Sequence, residues 1–165
     1  MPAIEIVPFD PRFAEGVAAV ILPIQRAEFS IAISLDDQRD LQDICAFYQC
    51  GAGNFWVAVA GERVVGSLGL LDIGNNQAAL RKMFVKAEYR GAEHAVARRL
   101  LATLLEWCRA QSIAEVYLGT TAKFLAAHRF YEKSGFTEIS RAELPSAFPV
   151  MTVDTKFYRH ALSPG

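Results

Sequence analysis

The stretch "FVKAEYRGAEHAVARRLL", residues 84–101, passes from an apolar, strand-like end through an Arg-Gly turn directly into an amphipathic helix. The N-terminus of a helix exposes unpaired backbone N–H groups and carries a partial positive charge, so it can bind phosphate where no bulky side chain blocks the approach. Gly91 keeps that approach open, and Arg90 adds a permanent cation. A simple turn with a solvated arginine explains the same residues, because short glycine patterns are weak evidence for a ligand.

Strand and helix patterns alternate on both sides of this segment. Gly61 and the pair Gly74-Asn75 favour tight turns, which divide residues 54–85 into three antiparallel strands. Apolar residues recur at four-residue spacing from Ala95 to Gln111, which predicts a helix. Further strands are predicted at 4–9, 114–121, 136–140 and 150–162, and further helices from Asp10 to about 29, from Asp36 or Asp37 to about 48, and at 123–135.

The resulting order is β, α, α, β, β, β, α, β, α, β, β. It predicts a three-layer α/β domain, of the α+β type, built on one mixed sheet. At 165 residues the chain is long enough for one domain with a substantial core, so a single domain is expected over residues 1–165.

The composition excludes several classes of protein. Hydrophobic residues make up 52% of the chain, and 17 basic residues nearly balance 18 acidic ones, which argues against disorder and against nucleic-acid binding. The N-terminus lacks a basic start followed by an apolar run, and no apolar stretch is long enough to span a membrane. These features predict a cytoplasmic protein without a membrane partner.

The cysteines and histidines do not form a metal-binding pattern. Cys45, Cys50 and Cys108 lack paired ligand spacing and read as reduced thiols, and the three histidines are scattered, so no metal is expected. A nucleophilic pair of Cys108 and His128 is conceivable, but Cys108 falls on the apolar face of its predicted helix, where packing explains it better.

Three segments together resemble the GNAT superfamily of acetyl-coenzyme A dependent N-acyltransferases. They are "LRKMFVKAEYRG" at 80–91, "LLATLLEWCRAQSIAEVYL" at 100–118 and "AAHRFYEKSGF" at 126–136, of which "FYEKSGF" is the most specific. The resemblance covers residues 4 to about 160. It implies a GNAT-like α/β/α domain whose mostly antiparallel sheet is splayed, with acetyl-CoA as the acyl donor.

The resemblance also implies a set of cofactor-binding residues. The strand end "MFV" would hold the pantetheine arm, and the loop that follows would hold the pyrophosphate. Glu93 departs from the family's loop pattern, so Ala92 and Glu93 are interpreted as a two-residue insertion, with the Glu93 side chain pointing outward. The cofactor-binding residues implied are Met83, Phe84, Val85, Arg90, Gly91, Ala92, Glu93, His94, Ala95, Val96, Ala97, Thr120, Phe130 and Lys133.

Tyr131 and Glu28 are the candidate catalytic residues. The resemblance implies that Tyr131 returns a proton to the departing thiolate, although two aromatics packing a helix on a sheet would also explain Phe130 and Tyr131. The acceptor amine must lose a proton, yet "ALRKMFV" carries no acid where the family often has one. Glu28 is therefore the first candidate for the general base and Asp72 the second.

The sequence leaves the acceptor open. The segments "ILPIQRAEFSI" at 21–31 and "RAELPSAFPVM" at 141–151 should line its side of the site, and their mixed polar and apolar residues suit a small amine, an amino acid or a peptide terminus. A non-catalytic module that binds or senses acyl-coenzyme A is the main alternative to an enzyme, and a dinucleotide-binding oxidoreductase fits less well. The late strand in "TVDTKFYRHAL", 152–162, could support a homodimer through a free edge, or lie inside the sheet.

Overall fold

Seven strands form one sheet at the centre of the protein. The structure is a computed structural model that describes residues 3–28, 33–91, 94–121, 125–151 and 153–162, without the side chain of Glu28. The lateral order of the strands is β1-β2-β3-β4-β5-β7-β6. Only β4 and β5 pair in parallel; the other neighbours are antiparallel, as predicted for a mixed, mostly antiparallel sheet. The strands are β1 (Ile4–Pro8), β2 (Asn54–Ala60), β3 (Arg63–Gly74), β4 (Gln77–Val85), β5 (Glu115–Thr120), β6 (Thr137–Ile139) and β7 (Lys156–Ala161).

Tight turns join the three long antiparallel strands, at the positions expected from the sequence. Gly61 has a φ of 65° between β2 and β3, and Gly74 has a φ of 84° between β3 and β4. Asn75 and Asn76 follow with φ values of 53° and 58°, a backbone region that asparagine tolerates better than most residues.

Helices cover both faces of the sheet, which confirms the three-layer architecture. The first face carries α4 (Val96–Ala110) and α5 (Leu125–Lys133), and the second face carries α1 (Ala14–Pro23), α2 (Arg39–Gln42) and α3 (Ile44–Tyr48). In α4, Leu100, Leu104 and Cys108 are fully buried against the sheet, because their four-residue spacing places them on one side of the helix.

The N-terminal helical region differs from the prediction in detail. The first helix ends at Pro23 and continues as a π-helical turn at Ile24–Glu28. The single helix predicted to end near Tyr48 is two short helices, separated at Asp43, whose side chain caps α3 by accepting a hydrogen bond from the Ala46 N–H at 3.1 Å. The predicted cap at Asp36 or Asp37 is instead a capping box between Ser34 and Asp37 around a 3-10 turn.

The last strand is shorter than predicted and lies inside the sheet. It begins at Lys156 rather than near residue 150, and it pairs with β5 on one side and with β6 on the other. The sheet edge on this side is therefore β6, so β7 does not offer the free edge considered for a homodimer.

No helix within the described residues is long and apolar enough to cross a membrane. The described residues also contain no group of three or more histidine, cysteine, aspartate or glutamate side chains arranged to hold a metal ion.

Replacing Leu104 by alanine should lower the free energy of unfolding by about 2–5 kcal/mol, because its fully buried side chain leaves a cavity between α4 and the sheet. Urea denaturation measures the change. Leu125→Ala is the matched control, since Leu125 is 62% exposed at the start of α5 and the same substitution there should cost little. Equal losses for the two variants would contradict this account of the core.

Candidate active site

The parallel ladder between β4 and β5 is short, and the two strands separate beyond it. Three residue pairs connect them, ending at Ala79 and Tyr117. Beyond that point β4 stays paired to β3 as far as Val85, and β5 stays paired to β7 as far as Thr120. The gap between residues 80–85 of β4 and residues 118–120 of β5 is called the wedge below. It is the splay that the sequence resemblance implies.

A β-bulge in β4 shapes one wall of the wedge. Lys82 has a left-handed φ of 57°, and the register with β3 shifts where Lys82 lies. The Ser67 hydroxyl donates to the Lys82 carbonyl at 2.7 Å and so stabilises the bulge. A bulge re-aims the side chains around it. Here it allows the adjacent residues Arg81 and Lys82 both to reach the helices of the second face, α3 and α2 respectively.

Tyr131 of α5 lies against the wedge on the first face of the sheet. Its hydroxyl is 3.7 Å from the sulfur of Met83 in β4, and its ring packs near Phe130, Phe136 and Tyr158. Burial raises the pKa of the Tyr131 hydroxyl well above its ordinary value, so this group stays protonated at neutral pH. The protonated hydroxyl, directed at Met83, is positioned to donate toward the wedge.

The N-terminus of α4 forms the third part of the site. Ala95, immediately before the helix, has a φ of 51° and no side-chain cap, and the first turn contains no acidic residue. Gly91 has a φ of 106°, and a Cβ built there would meet nothing within 4 Å. Among the described residues, Gly91 and Ala95 place no side chain that caps the helix terminus, which is suited to an anion and fits the pyrophosphate of a coenzyme A.

The remaining loop residues have defined but different environments. The Arg90 guanidinium donates through Nε to the Val85 carbonyl at 2.7 Å, which anchors it to the end of β4. The ring of His94 lies 5.3 Å from that of Tyr89. Val96 is buried as the first residue of α4 and Ala97 is half-buried. Ala92 and Glu93, the predicted insertion, lie outside the described residues.

Comparison with known proteins agrees with this geometry. The model of the acetyltransferase (GNAT) family matches residues 20–136, well over half of the chain. The chain belongs to the GNAT acetyltransferase family. The resemblance predicted from "LRKMFVKAEYRG" and "FYEKSGF" is thus confirmed.

Individual known proteins are similar to this one over different lengths. A GNAT-family acetyltransferase from Staphylococcus aureus Mu50 has a TM-score of 0.92 and 41% identity, covering 98% of this chain and 100% of that chain. N-acetylaspartate synthetase from Danio rerio is 36% identical over 106 residues, which are 63% of this chain and 37% of that protein. N-acetylglutamate synthase from Neisseria gonorrhoeae, complexed with coenzyme A and N-acetyl-glutamate, has a TM-score of 0.75 at 15% identity, covering 99% of this chain and 36% of that one, and so shares the fold.

Three further residues implied by the GNAT resemblance lie on β5 and α5. Thr120 is the buried last residue of β5, and its carbonyl accepts from the Thr155 N–H at 2.9 Å. Phe130 is half-buried beside Tyr131. Lys133 is exposed at the end of α5; two residues after Tyr131 it lies on the opposite side of the helix, so the structure does not bring these two side chains together.

Of the two predicted bases, only Asp72 has a described side chain, and it lies away from the wedge. Glu28 ends the π-helical turn, and its side chain lies outside the described part of the chain. Asp72 pairs with Ala78, five residues before Met83, which is about 16 Å along the strand. Both Asp72 oxygens also accept backbone N–H groups, from Ala52 and Gly74. Asp72 therefore stabilises the backbone near the β3–β4 turn, and it is too far from Met83 to act as the base.

The alternative nucleophile pair is also unsupported. Burial raises the pKa of the Cys108 thiol to about 12, so it is not a thiolate at neutral pH. His128 is buried, and its Nε2 lies 2.8 Å from the Thr121 carbonyl. Both residues belong to the packing around α4 and α5.

A buried polar cluster, which sequence reasoning did not predict, supports the bulge from the second face. The Lys82 ammonium donates to Gln38 at 2.6 Å and lies 3.6 Å from the Asp40 carboxylate; the side chains of this ion pair are 8% and 7% exposed. Tyr48 donates to the same carboxylate at 2.5 Å, and Gln25 exchanges hydrogen bonds with Gln38. Burial lowers the pKa of Lys82, and Asp40 opposes that shift.

One signal in the sequence could have indicated this cluster. In a regular strand, consecutive residues point to opposite faces, so the adjacent cations Arg81 and Lys82 would place one charge in the apolar layer under α4 and α5. A bulge removes that conflict, and the conflict itself is visible in "ALRKMFV".

Replacing Asp40 by alanine should lower the free energy of unfolding by about 3–5 kcal/mol, because it leaves the Lys82 ammonium buried without its countercharge. The double variant Asp40→Ala/Lys82→Met should recover part of this loss, since an apolar side chain of similar length needs no partner. Denaturant titration of the three proteins measures both effects. A double variant no more stable than Asp40→Ala would show that the ion pair is not the cause.

Proposed function

We propose that this GNAT protein is an N-acetyltransferase that moves an acetyl group from acetyl-CoA to a primary amine of a small molecule, an amino acid or a peptide. The observation that carries the proposal is the Tyr131 hydroxyl 3.7 Å from Met83 at the wedge, within the same site as the uncapped N-terminus of α4. A proton donor for the departing sulfur and a helix N-terminus that can bind pyrophosphate both serve acyl transfer from coenzyme A. The names of the curated relatives also support it, although the chain spans only about a third to a half of their length.

The reaction is a direct transfer in one ternary complex. Acetyl-CoA supplies an activated acyl carbon as a thioester. The end of β4, Met83 to Val85, lines the wedge where the pantetheine arm would lie, and backbone N–H groups there would polarise the acyl oxygen. The N–H groups at the start of α4 would hold the pyrophosphate, aided by Arg90. Tyr131 carries a proton at its hydroxyl, which lies 3.7 Å from the Met83 sulfur, on the side of the wedge where the thiol would depart.

One observation favours a second function, a non-catalytic acyl-coenzyme A binding or sensing module. The β4 segment facing the wedge carries Arg81 and Lys82 and no carboxylate that could deprotonate an amine. A sensor would bind the cofactor at the same helix N-terminus and release no coenzyme A in the presence of acceptors.

Tyr131→Phe should lower kcat about 100-fold, because it removes the proton donor, while calorimetry should show coenzyme A binding within twofold of wild type. Release of the free thiol from acetyl-CoA, followed with a panel of amines, measures turnover. The matched control is Tyr158→Phe, which removes a buried hydroxyl that donates to Glu132 at 2.7 Å rather than facing Met83; it should retain turnover.

Two results would count against the enzyme. Tight coenzyme A binding without acceptor-dependent thiol release from wild type would favour the sensor. No coenzyme A binding at all would remove both functions, because each depends on the N-terminus of α4.

A further inference from the structure

Arg81 is a half-buried cation whose partners in the structure are poorly matched to it. Its guanidinium lies 3.3 Å from the Met151 sulfur and 5.7 Å from the centre of the Phe47 ring. Within the described residues, no carboxylate forms an ion pair with it. A guanidinium has five N–H donors in a planar fork that matches a carboxylate, whereas a thioether is a weak acceptor. Arg81 is therefore equipped to bind an anion that the protein itself does not supply.

Asp154 lies across the wedge from Arg81, against β5. A Cβ on Gly119 would come within 2.6 Å of an Asp154 carboxylate oxygen, so this carboxylate occupies the space that the missing side chain leaves. The Met151 N–H donates to it at 2.9 Å, and Met151 is also the residue that touches Arg81. The two charged groups are thus neighbours, linked through Met151, without forming an ion pair.

Within the described residues, the charged groups around this position have an excess of one positive charge. Arg81 and Lys82 of β4 and Arg141, after β6, act on Asp154, and Asp40 compensates Lys82. Three cations therefore face two carboxylates. Burial raises the pKa of Asp154, while the Met151 N–H and the three cations oppose that shift, so the carboxyl group is a better proton acceptor than a fully solvated aspartate.

The position of the pair relative to the wedge suits an acceptor site. The bulge turns Arg81 and Lys82 toward the second face, where Arg81 lies over Phe47 of α3, while Met83 packs with Tyr131 on the first face. Arg81 is two residues before Met83, about 7 Å along the strand. An acceptor held between Arg81 and Asp154 would therefore enter the wedge from the side opposite Tyr131.

We propose that Arg81 and Asp154 form an amino-acid site, in which Arg81 binds the carboxylate of the acceptor and Asp154 accepts the proton from its ammonium group. This rests on the proposed function, and it takes Asp154 in place of Asp72 as a candidate for the general base, beside Glu28. The ammonium nitrogen carries three protons. One passes to Asp154 and then to solvent, and one remains in the amide. The third is lost as the new C–N bond forms and the C–S bond breaks, and it is balanced by the proton that the sulfur gains.

The first test compares amino acids with their amides, which keep the skeleton and lose the carboxylate. Thiol release is measured with L-amino acids, the corresponding L-amino acid amides and dipeptides. Wild type should prefer the free amino acid, and Arg81→Gln should lower kcat/KM for it about 10- to 100-fold while changing the amide little. Arg109→Gln, an exposed arginine at the far end of α4, is the matched control and should keep the preference. Equal use of amino acids, amides and dipeptides by wild type would overturn the role of Arg81.

The second test separates the two roles by their pH dependence. Asp154→Asn should lower kcat/KM for amino acids and amides alike at neutral pH, and the loss should shrink at high pH, where the amine is already deprotonated. Arg81→Gln should show no such recovery, because it removes a binding contact rather than a proton acceptor. An Asp154→Asn profile parallel to that of wild type would rule out Asp154 as the base.

A binding measurement distinguishes failure of this inference from failure of the proposed function. L-amino acids are titrated by calorimetry into the protein saturated with coenzyme A. Binding that depends on Arg81 but is accompanied by no turnover would retain the carboxylate site and reject the transferase. Turnover of amines without any preference for a carboxylate would retain the transferase and reject the site. If the titrations show no Arg81-dependent binding and the assays show no carboxylate-dependent turnover, the inference is overturned.

Discussion

The early end of the parallel ladder between β4 and β5 is the constraint on which the site depends. After Ala79 and Tyr117 each strand keeps its other partner, β3 or β7, so both remain ordered while they separate from one another. Backbone groups that would otherwise pair across the sheet become available to a ligand. The sheet thus provides a narrow opening between two firmly held strands, reached from both faces.

The bulge at Lys82 places different side chains on the two sides of this opening. A left-handed residue inside a strand has a conformational cost, and here the Ser67 hydroxyl and the Asp40–Lys82 pair hold it in place. The result is an asymmetric strand: Arg81 and Lys82 reach the second face, while Met83 meets Tyr131 on the first. Charge lies on the side proposed for the acceptor, and aromatic and sulfur groups lie on the side proposed for the thiol.

Glycine is required at two positions of the site for different reasons. Gly91 adopts a φ of 106° ahead of α4, where a side chain would strain the backbone although the space is open. Gly119 has ordinary backbone angles, and there the missing side chain itself matters, because the Asp154 carboxylate fills its place. The first glycine keeps the N-terminus of α4 open to an anion, and the second lets a carboxylate pack against β5.

The sequence by itself determined the element order, the three-layer mixed sheet, the family, and the positions of Tyr131, Gly91 and the start of α4. These follow from local patterns, since apolar periodicity, turn residues and short motifs lie within a few residues of one another. It did not show the break at Asp43, the internal position of β7, or the cluster around Arg81, Lys82, Asp40 and Asp154. Those features join residues up to about a hundred positions apart, so only the tertiary structure, through the bulge in β4 and the close packing of Asp154 on Gly119, could decide which charges meet at the wedge.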